Sequence, residues 1–63
     1  MIKYTEQLKE PLRNVSNVYA DFGISYDVMW AILDDRPVRM KTILQLMEIL
    51  NLTLEEAIQY EKD

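Results

Sequence analysis

The sequence predicts an all-α fold, a compact bundle of about five short helices in one domain spanning 1–63, and three observations predict it. Apolar residues recur at spacings of three and four, as in Leu8, Leu12, Val15, Val18, Tyr19 and Phe22, then Met40, Ile43, Leu44, Met47 and Leu50. Helix start and stop residues flank those runs: Gly23, Ser25, Pro37 and the Thr53–Glu56 pair. No stretch of the chain reads as a convincing strand.

The elements follow in order. Pro11 interrupts the first run, because it lacks an amide hydrogen and clashes with the preceding turn. The pattern predicts a first helix near 4–10 and a second near 14–22 capped by Asn14, or else one fused helix that starts with Pro11 in its first position. Gly23 terminates the second helix, since glycine takes the left-handed conformation without a Cβ clash. Ser25 caps the third helix, and Asp27 suits the positive end of its dipole. Asp34-Asp35-Arg36-Pro37 stops it. The fourth helix is expected over about 39–50, with a turn at Asn51-Leu52. Thr53-Leu54-Glu55-Glu56 fits a capping box that opens a fifth helix burying Leu54, Ala57 and Ile58. Met29, Met40 and Met47 fall at helical spacing and are expected in the core.

Composition narrows the function. A hydrophobic fraction of 49% fits a globular domain rather than a disordered chain. At 63 residues such a domain buries only about 60% of its unfolded surface. With no cysteine and no histidine, disulfide staples and the usual zinc ligands are excluded, and neither a metal nor a cofactor is expected. No apolar run approaches the roughly 20 residues that span a bilayer, and Met1-Ile2-Lys3-Tyr4-Thr5-Glu6 lacks the apolar core of a signal peptide, so the chain reads as cytoplasmic. Asp34 and Asp35 have no histidine, cysteine or glycine-rich phosphate loop beside them, so no enzyme and no small-molecule substrate is expected.

The net charge of −4 is unevenly spread: residues 1–47 balance at zero, and the whole excess of acid lies in 48–63. The balanced segment is compatible with a polyanionic partner in a way that an acidic one is not.

Phe22-Gly23-Ile24-Ser25, followed by Tyr26-Asp27-Val28-Met29-Trp30-Ala31-Ile32-Leu33, joins two helices through a short turn. Together with Val18, Pro37, Met40-Lys41-Thr42-Ile43-Leu44 and the run from Leu50 to Ala57, this segment resembles the phage repressor and Cro family of helix-turn-helix domains. The resemblance covers roughly residues 14–58, with the helix-turn-helix at about 14–34. It implies a lambda-repressor-like fold, a transcriptional regulator that binds double-stranded DNA, and a possible homodimer. The chain departs from the family at Tyr19, where a small alanine is usual, at Val15, where glutamine is usual, and at Asp34-Asp35, where a loop glycine is usual.

On that resemblance Met29 and Ile32 face the core, while Tyr26, Asp27, Trp30 and Ala31 face bases. Asp27 suits a cytosine amino group and Ala31 a thymine methyl. Arg13, Arg36, Arg39 and Lys41 are the candidate phosphate contacts, or else a solvated basic face. Trp30 admits two further readings. A shift of helical phase would place it in the core. Alternatively Tyr26, Trp30 and Leu33, three or four apart, form an apolar stripe rimmed by Asp27 and Asp34. Such a stripe suits a protein-binding module, for example an antirepressor that grips another DNA-binding regulator.

Overall fold

A computed structural model describes residues 2–60. Its elements run β1 (Ile2–Tyr4), α1 (Glu6–Arg13), α2 (Val18–Phe22), α3 (Tyr26–Leu33), α4 (Met40–Leu50), α5 (Leu54–Ala57) and β2 (Ile58–Tyr60). The fold is mostly helical, with α1 packed against α3, α4 and α5, and α2 against α3.

The expectation of an all-α chain is corrected by a small antiparallel sheet. Ile2 lies opposite Tyr60, Lys3 opposite Gln59, and Tyr4 opposite Ile58. The fifth helix ends after one turn because Ile58 is extended, at φ −127° and ψ 137°. Tyr4 is buried on the same sheet face as Ile58. The Thr5 amide continues the ladder by donating to the Ala57 carbonyl at 3.0 Å, and the Thr5 hydroxyl donates to the Glu56 carbonyl. Each strand has only three residues, too few for alternation to be read.

Helix boundaries shift for local reasons. α1 continues through Pro11 to Arg13. Proline there leaves the Gln7 carbonyl without an amide, but Gln7 is exposed, so water can take its place. Asn14 is not a helix start. It closes α1, both its amide and its side-chain Nδ2 donating to the Glu10 carbonyl, at 3.2 and 3.0 Å. The N-cap of α2 is Asn17, whose Oδ1 accepts from the Ala20 amide at 3.1 Å. Ser25 caps α3 as expected, and Thr53 and Glu56 form the expected capping box.

Leu8, Ile32, Leu46 and Val18 are wholly buried, with Leu12, Ile43, Phe22, Ile24 and Met29 around them. Met40 and Leu54, expected in the core, lie outside it, and Tyr19 and Leu44, members of the apolar stripes, are likewise half exposed or more. On α4 the inward stripe is Ile43 and Leu46, with Met47 and Leu50 partly covered, one step round the helix from the expected one.

Candidate functional site

Gly23, Ile24 and Ser25 alone connect α2 to α3. Gly23 sits at φ +70°, and its amide donates to the Tyr19 carbonyl at 2.9 Å, closing α2 in the left-handed conformation. A Cβ at Gly23 would stand 2.9 Å from Gln45 Nε2, which donates to the Phe22 carbonyl at 2.8 Å and ties the turn to α4. Ile24 is buried and pins the middle of the turn. Ser25 Oγ then accepts from the Val28 amide at 3.3 Å and starts α3.

The phase of α3 is the one that Met29 and Ile32 predict. Both are buried, whereas Tyr26 is 55% and Trp30 53% exposed, which removes the alternative of Trp30 in the core. Asp27 and Asp34 are exposed, and Ala31 is only half open. Tyr26, Trp30 and Leu33 come together in one groove of about 430 Å³. Leu12 and Arg13 at the end of α1 and Val15 just beyond it also line the groove.

The four candidate phosphate contacts divide into two pairs. Arg13 makes a two-pronged ion pair with Glu6, at 2.5 and 3.1 Å, and the arginine holds the Glu6 carboxyl below the usual carboxylate range. Arg36 lies 3.6 Å from Asp34. Arg39, the N-cap residue of α4, and Lys41 in its first turn are exposed and form no ion pair among the described residues.

Asp35, expected only as part of the helix stop, holds the segment bearing these cations together with Tyr4 and Lys9, for which the sequence suggests no role. Asp35, at φ +58°, closes α3 with its amide on the Ile32 carbonyl at 3.2 Å and the Arg36 amide on the Ala31 carbonyl at 2.7 Å. That is a Schellman close with aspartate where glycine is usual. The Asp35 carboxylate accepts from the Tyr4 amide at 3.0 Å and pairs with Lys9 Nζ at 3.0 Å. The Tyr4 amide, foremost, and Lys9 hold the Asp35 carboxyl below its ordinary range, against partial burial that works to raise it. The one available signal was the missing glycine after α3.

A second, apolar hollow of about 380 Å³ lies beside the sheet, lined by Ile2, Tyr4, Pro37, Val38, Met40, Ile43 and Ile58 with Asp35 at its edge. Among the described residues no helix is long and apolar enough to cross a membrane, and no group of three or more acidic, histidine or cysteine side chains could hold a metal. No protein-family model, curated protein or solved structure matches the chain.

Proposed function

We propose that this chain is a small helix-turn-helix transcriptional regulator of the phage repressor and Cro type that binds double-stranded DNA. The observation that carries the reading is the α2–turn–α3 unit. Two short helices are joined by three residues, and the second has its inner face buried on Met29 and Ile32 and its first turn open at Tyr26 and Asp27. In this reading α3 enters the major groove, with Tyr26, Asp27, Trp30 and Ala31 toward base edges. Arg39 and Lys41 meet phosphates directly. Arg13 and Arg36 do so by exchanging their carboxylate partners, a small cost because solvent screens exposed ion pairs. A homodimer would place two such helices on a palindromic site.

A specific observation also favours a second reading. The Tyr26–Trp30–Leu33 groove is apolar and exposed, and α3 carries no basic residue. In that reading the same unit grips another DNA-binding regulator, with Trp30 as the anchor.

One titration separates them. Trp30 is the only tryptophan, so its emission reports on α3 directly. Adding a mixed-sequence duplex should quench it at about 50 mM salt and much less at about 200 mM, since phosphate-driven binding collapses over that range. Replacing Arg36, Arg39 and Lys41 together by alanine should abolish the response. Binding unchanged in that variant would sink the assignment of these three cations to phosphates, and no response of the wild-type chain at either salt would sink the DNA reading and turn the choice to the protein-binding one.

A further inference from the structure

The most deeply covered charged side chain among the described residues is that of Lys9, and the DNA reading makes no use of it. Its ammonium meets Asp35 Oδ1, the same oxygen that accepts the Tyr4 amide. That amide is available because donors alternate along a strand. Thr5 points its N–H at the Ala57 carbonyl, just before β2, so Tyr4 points its own to the other side. One bond further on, the Tyr4 hydroxyl donates to the Arg36 carbonyl at 2.8 Å. β1 and α1, neighbours in sequence, therefore meet the distant α3–α4 link on Asp35 and the residue after it.

The residue type at position 35 is informative. The left-handed conformation disfavours any side chain, and glycine would close α3 without that cost. An aspartate there is accounted for by what its carboxylate does. Removing it would leave the Tyr4 amide and the Lys9 ammonium without their acceptor in partly covered surroundings. The segment it anchors runs directly into the cations: Arg36 is the next residue, Arg39 caps α4, and Lys41 follows.

We propose that Asp35 is a positioning residue. Gripped by Lys9 and by the Tyr4 amide, it fixes the α3–α4 link so that Arg36, Arg39 and Lys41 stand in one arrangement relative to α3. The small sheet is thereby part of the DNA-contacting unit. What the cations meet rests on the DNA reading above; that the link is held does not.

Asp35→Gly tests this by sign. The change removes a negative charge beside the cations and gives the left-handed position its preferred residue. Electrostatics and backbone preference alone therefore both predict DNA binding as tight or tighter. Positioning predicts binding to a mixed-sequence duplex weaker by about threefold or more at about 50 mM salt. Amide exchange, followed by NMR on the free full-length chain, supplies the second readout. The Arg36 amide, whose own acceptor is the Ala31 carbonyl, should exchange about tenfold faster in the variant.

Tight binding with unchanged exchange at Arg36 would overturn the proposal. If the wild-type chain binds no duplex, the DNA reading fails, and the exchange result alone decides whether the link is held. Should Asp35→Gly not fold, Asp35→Asn replaces it. Asparagine tolerates the left-handed position and can still accept from Tyr4, but it gives up the Lys9 charge pair, so the same signs are expected with smaller size.

Discussion

α3 and α4 end in the same way and to different effect. Both close in a Schellman arrangement with a non-glycine residue in the left-handed conformation, Asp35 at φ +58° and Asn51 at φ +56°. The bonds match: Asp35 to Ile32 and Arg36 to Ala31 in one, Asn51 to Glu48 and Leu52 to Met47 in the other. Asn51 is exposed, and its side chain makes no hydrogen bond among the described residues, while Leu52 and Met47 beside it are partly buried against the core. Asp35 instead spends its side chain on Tyr4 and Lys9, and its following residue is an exposed arginine. The same backbone turn thus ends a helix in one place and ties down a charged segment in the other.

A third left-handed close, at Gly23, sets the upper end of the scale. There the conformation favours glycine, and a Cβ would also press on Gln45 Nε2, the end of a flexible side chain that would have to move off the Phe22 carbonyl. Gly23→Ala is expected to cost about 2 kcal/mol, from the left-handed penalty together with the lost Gln45–Phe22 bond. In a domain of this size that corresponds to a fall in Tm of roughly 10 °C. A thermal melt that moves by only a degree or two would mean that Gln45 swings aside freely and that the turn between α2 and α3 is less constrained than its geometry indicates.

The contrast between the other two closes is sharpest in a matched pair of substitutions. Asn51→Gly relieves the left-handed cost and loses no bond, so it should raise stability by about 0.5 kcal/mol. Asp35→Gly relieves a similar cost but strands the Tyr4 amide and Lys9, for a net loss of about 1 kcal/mol. The two melts should move in opposite directions. Both rising would erase the difference between the two closes and remove the structural ground for treating Asp35 as an anchor.

What could be read from the sequence follows the range of the interaction. Ser25, Gly23 and the Thr53–Glu56 box are recognisable because each acts within one turn of its own position, and all three stand where expected. Asn14, the expected cap of α2, instead closes α1, and the three residues after it are not helical; Asn17 starts α2 by accepting from the Ala20 amide. β1 and β2 were illegible, since three-residue strands from opposite ends of the described chain carry no periodicity and need each other to exist.

The same limit applies to the site. Met29 and Ile32 announce the inner face of α3, and with it the exposure of Tyr26 and Trp30. Nothing local announces that Tyr4 and Asp35, 31 residues apart, share a bond, or that Glu6 occupies Arg13. Charge counting treats all four candidate phosphate contacts alike, and only the fold separates the two that are paired from the two that form no ion pair among the described residues.

The smallest expected effect is a dependence on pH that belongs to one close and not the other. The Tyr4 amide and then Lys9 hold the folded Asp35 carboxyl below its usual range, whereas in the unfolded chain it titrates near the ordinary value of about 4. A depressed folded pKa means that the unfolded state takes up the proton first. The stabilisation is therefore complete above the ordinary carboxylate pKa and is lost as pH falls through the lowered folded value. Glu6 and Glu56 are lowered in the same direction, by Arg13 and by Thr53, so the whole chain should weaken in acid and the wild-type curve alone is not diagnostic. The difference curve is. The stability gap between wild type and Asp35→Asn should be constant near neutrality and narrow below about pH 4. The gap between wild type and Asn51→Gly should stay flat throughout, because no titrating group is changed there. Parallel curves for both pairs, measured by urea unfolding across that range, would show that the Asp35 carboxylate contributes nothing through its charge and that its neutral acceptor oxygen is enough to hold Tyr4.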